Sequence, residues 1–443
     1  MAEPTWRNWA GNRTADARVV EPRDLAHLKQ AVHSAAGKGR RIRATGGRYS
    51  WADLVPVPEG DTIISTTKLG RLLAIDERNQ TVTVESGITI GELTKLLAAK
   101  GLTLFTPTLF PSPTIGGVVA TGAHGTDIGV GNFSDQVCAM TIISADGTEK
   151  TVRAGDADFP AAQVALGTLG IVYSVTLKVE RQFSVYVDER RVPVRYVLEE
   201  FDDLIRSYNF VEVFWYPLQD YMWLYLMYRT KSWPDRIGPL ARVRKKLQDT
   251  IEVATGDLLL PYLAQYTPRL TPLLSRFASS LSQEVHQSVL PASEAFHFEN
   301  AYVKSWDLEY AVPASDSAHA WREAIDLVNE YARADLYPVN LAVHCRFTGP
   351  SQAWLAPNYD RSSCHIEAVT ALKTPDWEAF FDKLEARWLS IGGARPHWAK
   401  VYNKPREIAA RYPKMKDFLD VRESCDPHRV FLNEFLEKEV FQI

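Results

Sequence analysis

The chain has 443 residues, too many for one hydrophobic core of ordinary size, so two domains are expected. Lys plus Arg number 50 against 54 Asp plus Glu, a net charge of -4, and 46% of the residues are hydrophobic. That balance describes an ordinary globular protein and excludes a global basic field for nucleic acid or an anionic membrane, so any anion site is local.

The N-terminal M-A-E-P-T-W-R-N-W-A lacks the basic-then-apolar order of a signal peptide, and no apolar run is long enough for an integral membrane segment. A cytoplasmic location is the expectation. Helix and strand signals then alternate at short intervals. Leu25, Leu28, Val32 and Ala35 form an apolar helical stripe ending near Gly37, and 41–44 reads as a strand running into T-G-G-R-Y-S, residues 45–50. Residues 62–65 and 81–85 alternate like strands. Thr89 and Glu92 make a capping box for a helix with Ile90, Leu93, Leu96 and Leu97 on its buried side.

The stretch 114–131 is weakly periodic and dense in glycine. Strands follow at 139–144 and 151–154 around an Asp146-Gly147 turn, and at 171–179, which closes a first domain of small mixed α+β units near residue 182. The second domain, 183–443, opens with aromatic strands in hairpin order, V-E-V-F-W-Y-P and Y-M-W-L-Y-L-M-Y-R. A helical reading of 232–284 comes next, then strand, helix (316–332) and strand again. The fold class is α+β, with an antiparallel sheet flanked by helices in the second domain. Cys138, Cys345, Cys364 and Cys425 are too scattered for a disulfide framework and read as buried thiols.

Gly116, Gly117, Gly122, Gly125 and Gly129 lie within fourteen positions, a density that marks positive φ or close approach of backbone to a ligand, and exposed N–H groups there suit a pyrophosphate. No G-x-G-x-x-G opens a helix after a first strand, and no phosphate loop ending in Gly-Lys-Ser/Thr occurs. A dinucleotide would therefore be gripped by two separate loops, 45–50 and 116–126. No His/Cys/Asp/Glu cluster has ligand spacing along the chain, so no metal is expected.

R-A-T-G-G-R-Y-S, P-S-P-T-I-G-G-V-V-A-T-G-A-H-G-T-D and A-L-G-T-L-G-I-V, in that order, resemble the FAD-binding domain of the vanillyl-alcohol oxidase superfamily. D-L-E-Y-A-V-P, W-L-A-P-N-Y-D-R-S-S-C-H-I, R-P-H-W-A-K and D-P-H-R-V-F-L-N-E-F-L resemble its sugar-lactone oxidase branch, which includes gulonolactone, arabinonolactone and alditol oxidases. The resemblance implies a two-domain FAD-binding fold, with residues from about 401 a candidate to return to the FAD domain.

The implied cofactor contacts are Thr45, Gly46, Gly47, Arg48, Tyr49 and Ser50 around the pyrophosphate. Gly116, Gly117, Thr121, Gly122, Ala123, His124 and Gly125 would pass the flavin ring and phosphates, and Gly170, Ile171 and Val172 would lie beside the adenine half. Many relatives carry at position 49 a histidine bonded covalently to the flavin, so Tyr49 implies FAD bound non-covalently. Lys400 and Arg346 match positions near flavin and substrate, where fixed cations stabilise the reduced ring.

Relatives have a glutamate two residues before this arginine, whereas the chain reads His344-Cys345-Arg346. His344 is either the base that takes the hydroxyl proton or a residue that shapes the pocket. His365 and Glu309 are further substrate-binding candidates, with Asn433 a weaker one. Ala123 leans towards a dehydrogenase. The implied reaction is oxidation of a CH–OH group of a small polar substrate, an aldonolactone, polyol or related alcohol, with O2 or another acceptor. The alternatives are a tailoring flavoenzyme for a non-sugar substrate, or a flavin-binding protein without turnover.

Overall fold

The computed structural model describes residues 5–235, 262, 266–280, 285–296 and 304–443. In the N-terminal part, the strands Arg18–Val20, Thr62–Ser65 and Ile42–Thr45 form a parallel sheet in that order. The helix Leu25–Ala36 is started by Asp24, whose carboxylate accepts from the His27 N–H, and it buries Leu28, Val32 and Ala35. An antiparallel sheet runs in the order Glu149–Arg153, Val137–Ile143, Ile171–Lys178, Thr81–Glu85, Leu72–Asp76. Its first hairpin turns at Gly147, whose φ of +83° suits glycine.

Two local expectations change. The capping box at Thr89 and Glu92 forms, but the helix Ile90–Ala98 buries Ile90, Leu93, Thr94 and Leu97 while Leu96 is 41% exposed. Helical spacing at i, i+3, i+4 and i+7 explains this, since Leu96 sits off that stripe. Within the glycine-rich stretch, Ile115–Ala120 is a short helix held by buried Ile115, Val118 and Val119.

The larger sheet has eight antiparallel strands, labelled here β1 (Ser184–Pro193), β2 (Phe210–Trp215), β3 (Tyr221–Thr230), β4 (Val285–Pro291), β5 (Ser305–Pro313), β6 (Ala342–Thr348), β7 (Ser363–Ala371) and β8 (Arg395–Pro396). Their spatial order is β4-β1-β3-β2-β6-β7-β5-β8. One face buries Val213, Leu224, Leu308, Tyr310, Val343, Cys345, Cys364 and Ile366 under the helices Val194–Ser207, Ser317–Arg333 and Trp377–Ser390. Because side chains alternate, the remaining residues of β2, β5, β6 and β7 must face the other way. Of the segment 232–284 expected to be helical, Thr271–Ser280 is a helix; most of the rest lies outside the described residues.

The C-terminal segment packs on the N-terminal units. Phe418, Leu432, Leu436 and Val440 share a core with Val84, Leu93 and Leu177. The buried Arg43 guanidinium donates to the carbonyls of Leu54, Leu166, Gly167 and Phe431, tying the strand that feeds the 45–50 loop to three distant segments. Asn433 donates to the carbonyls of Asp53 and Pro56, a structural placement rather than a place in the sheet cluster.

Replacing Arg43 with Met would strand buried carbonyls, so urea unfolding of the Arg43→Met variant should show a stability loss of at least about 3 kcal/mol. A loss below about 1 kcal/mol would remove Arg43 from this role.

Candidate active site

The face of the large sheet away from the helices carries an array of polar side chains set by strand register. His344 on β6 stands between Phe214 on β2 and Glu367 on β7, and Glu367 stands opposite Glu309 on β5. One row along, Arg346 lies between Glu212 and His365. All are buried except Phe214, which is half-buried. Edge strand β8 brings in the segment after it: the His397 N–H donates to the Glu309 carbonyl and the Val401 N–H to that of Asp307, which delivers Lys400 over the array.

Lys400 Nζ contacts the Asp307 carboxylate, donates to Glu367 Oε2 at 3.1 Å and lies 3.5 Å from Glu309 Oε2. The Trp51 ring covers it, with the centroid 4.9 Å from Nζ. His344 Nδ1 is 2.8 Å from Glu367 Oε1, and Phe214 stacks on its ring at 3.8 Å. His124 Nε2 pairs with Glu309 Oε1 at 2.7 Å, Arg346 Nη1 donates to the His124 carbonyl, and His124 stacks on His365 at 3.6 Å. His365 Nε2 meets the Thr348 hydroxyl at 2.9 Å.

Burial dominates the titration of these groups, and the neighbours decide the outcome. Burial opposes charge on Glu367, but Lys400 and the His344 hydrogen bond bring its pKa down to about 2. Burial opposes charge on Glu309 too, yet His397, His124 and Lys400 hold it well below the carboxylate range. For Asp307 burial prevails over Lys400, and with Glu367 and Glu309 as further negative neighbours its pKa rises to about 8. Three carboxylates around one ammonium thus keep a proton between them at neutral pH. Burial would lower His344, but the neighbouring Glu212 and Glu367 carboxylates raise it above its usual value. Burial lowers His124 and His365, and it brings His397 down to about 4.

The two glycine loops are in contact. The Gly47 N–H donates to Thr114 Oγ1 at 3.3 Å, and a Cβ on Gly46 would lie 1.9 Å from that oxygen. A Cβ on Gly116 would meet Ser86 at 2.9 Å, one on Gly125 would meet Thr106 at 2.0 Å, and one on Gly170 (φ +132°) would meet Ile142 at 2.6 Å. At these four positions one chain segment approaches another too closely for a side chain. Arg48 has φ +67°, and the Ser50 hydroxyl donates to the Ala52 carbonyl. Gly122 also has positive φ, and the Thr121 hydroxyl donates to the Gly117 carbonyl. Tyr49 stacks on Trp9 at 5.3 Å. Ile171 is fully buried in the core with Leu28, Val32 and Phe431, while Thr45 is buried and Ala123 and Val172 are half-buried.

These residues fit an FAD. The 45–50 and 114–125 loops adjoin each other, and the buried hydroxyls of Ser86 and Thr106, beside Gly116 and Gly125, have no hydrogen-bond partner. On the sheet, Asp307 Oδ1, Glu309 Oε2, His344 Nε2 and His365 Nδ1 are likewise buried without a hydrogen bond, though the last three have charged neighbours at 3.5–3.6 Å, so the face has room for hydrogen bonds to a bound molecule.

Sequence reasoning missed Asp307, Glu367, Glu212 and His397. The signal was present in the alternation of D-L-E at 307–309 and H-I-E at 365–367, which aims each pair at one face. The expectation that no residues have metal-ligand spacing holds along the sequence but not in space. Among the described residues, His124, Glu309 and His365, and separately Asp307, Glu309 and Glu367, have ligand atoms within 4.8 Å of one another. In the second group the cation is already supplied by Lys400.

Residues 175–439 match the family model for D-arabinono-1,4-lactone oxidase, and residues 17–153 match that for an FAD binding domain. The L-gulono-1,4-lactone dehydrogenase of Mycobacterium tuberculosis is 29% identical over 98% of this chain and 99% of its own. The L-gulonolactone oxidase of Mus musculus is 27% identical (98% and 97% covered), and the alditol oxidase of a Streptomyces species is 27% identical (97% and 97%). A solved structure of a solvent-stable cholesterol oxidase superposes with a TM-score of 0.82 over 97% of this chain and 96% of its own, at 18% identity, which is a likeness of fold. With its FAD-binding region and its lactone-oxidase region both matched, the chain belongs to the D-arabinono-1,4-lactone oxidase family of FAD-linked enzymes acting on CH–OH donors.

Proposed function

We propose that the protein oxidises a secondary or primary alcohol of a small hydroxyl-rich substrate, an aldonolactone or polyol, on the polar face of the large sheet. The observation that carries this reading is the meeting of Lys400, Arg346 and His344 on one buried face that also holds four polar atoms without a hydrogen bond. A face that offers a carboxyl O–H at Asp307 and a carboxylate oxygen at Glu309 beside fixed cations suits a ligand with several hydroxyls. The sequence reads position 344 as a carboxylate lost relative to the family; Glu367, directly opposite on β7, returns one 2.8 Å from the replacing imidazole.

When bound, FAD supplies the hydride acceptor. Lys400 and Arg346 contribute fixed positive charge, and burial keeps those charges effective because water does not screen them. His344 takes the hydroxyl proton through its unpartnered Nε2. Tyr49 supports non-covalent attachment, since a phenol stacked on Trp9 does not offer the imidazole nitrogen that tethers flavin in relatives. Small as it is, Ala123 supports an acceptor other than O2.

Acid precipitation of the yellow holoprotein should leave flavin in the supernatant; colour kept in the washed pellet would refute non-covalent binding. In Lys400→Met, flavin content should stay within about twofold while anaerobic bleaching of the flavin by a reactive lactone or polyol slows by about 10²-fold or more. Unchanged bleaching kinetics would remove Lys400 from the reaction, and no bleaching of the unmutated protein across a lactone and polyol panel would reject the substrate class.

A further inference from the structure

His344 is held between carboxylates from both neighbouring strands, Glu367 on β7 and Glu212 on β2. We propose that Glu367 is the positioning residue for His344: it fixes the proton on Nδ1 and leaves Nε2 as the basic nitrogen turned towards the substrate hydroxyl. This rests on the reading of His344 as the base.

Three observations carry the assignment. An ionised carboxylate only accepts hydrogen bonds, so the 2.8 Å contact between Glu367 Oε1 and Nδ1 requires the hydrogen on Nδ1. Glu367 is itself fixed from behind, because its other oxygen accepts from Lys400 Nζ at 3.1 Å. The ring plane is set by Phe214, stacked at 3.8 Å and 12°. With Nδ1 and the plane both fixed, Nε2 remains buried without a hydrogen-bond partner, and Glu212 Oε2 stands 3.6 Å away, beyond bonding distance. A hydroxyl that enters here donates to Nε2.

In the step itself the substrate O–H bond breaks, its proton forms a bond to Nε2, and its electron pair stays on oxygen. That pair would form the carbonyl as the adjacent C–H bond gives up its hydride, for which a bound FAD would supply the two-electron acceptor. The resulting imidazolium has an N–H on each side, with Glu367 on one and Glu212 on the other. The charged groups facing His344 are these two carboxylates, Arg346 on its own strand and Lys400 behind Glu367. The carboxylates outweigh burial and raise its pKa. The base acts when neutral, so the rate should rise as pH climbs through that raised pKa, above about 6.5.

The test uses holoenzyme with labelled histidine. The imidazole pKa of His344 is followed by NMR without substrate, its signal assigned from His344→Gln, and compared with the acid limb of the pH profile of anaerobic flavin reduction. Glu367→Gln keeps an acceptor oxygen but loses the charge, so the imidazole pKa and the acid limb should both fall by about one unit, with the plateau rate down about tenfold. Glu367→Asp keeps the charge and should hold the pKa near its original value, which covers the case in which the amide variant does not fold. A His344 pKa that does not move in Glu367→Gln, or that falls equally in Glu367→Asp, would overturn the positioning role. An acid limb unchanged in His344→Gln would overturn the base reading, whereas absence of any reducing substrate would reject the proposed function and leave the NMR result to decide Glu367 separately.

Discussion

The ion cluster of Lys400 with Asp307, Glu309 and Glu367 is the interaction on which the rest of the site depends. Three carboxylates on adjacent strands could not all stay charged in a buried place; desolvation of each costs several kcal/mol before their mutual repulsion is counted. The ammonium offsets part of that, and Asp307 offsets more by keeping its proton, its pKa pushed up to about 8. The division matters because the charge remaining on Glu367 and Glu309 is what orients His344 and His124. Lys400 therefore organises the histidines without touching them.

Architecture makes such a polar face affordable. The back of the large sheet is covered by three helices and a core that includes Trp321, Phe380 and Trp388, so sheet stability does not depend on the other face being apolar. The front is free to hold ionisable groups in register, where cross-strand neighbours are spaced by backbone geometry rather than by flexible loops. Positions on such rigid strands are reproducible to the fraction of an ångström that proton transfer requires. The N-terminal units work differently: there, loops are held by close chain crossings at Gly46, Gly116 and Gly125 and by the Arg43 hub.

Much of this was legible in the sequence, and the limits have physical causes. The strands and helices of the N-terminal region follow their patterns, and the sequence alone pairs the two glycine loops. His344, Arg346 and Lys400 are legible through the resemblance of H-C-R and R-P-H-W-A-K to family segments, with strand alternation placing His344 and Arg346 on one face. Asp307, Glu367 and Glu212 were not, because each is an ordinary acidic residue until register sets it opposite its partner. Periodicity says which face a residue occupies, not which strand lies beside it. The glycines show a related limit: a missing Cβ marks a close approach but does not tell whether a ligand or another stretch of backbone is what comes near.

The exchange at position 344 then has a chemical logic. Beside the Lys400 ammonium Glu367 is drawn down to about 2, while burial pushes Asp307 on the same ammonium up to about 8, and a group as acidic as Glu367 is a poor proton acceptor at neutral pH. An imidazole lifted above its usual pKa by two flanking carboxylates is far better matched to that task. On the proposed reading, the roles are distributed over two strands, with charge on Glu367 and the transferable proton on His344, so that one site keeps both a fixed anion for Lys400 and a base. A single carboxylate would have to compromise between them.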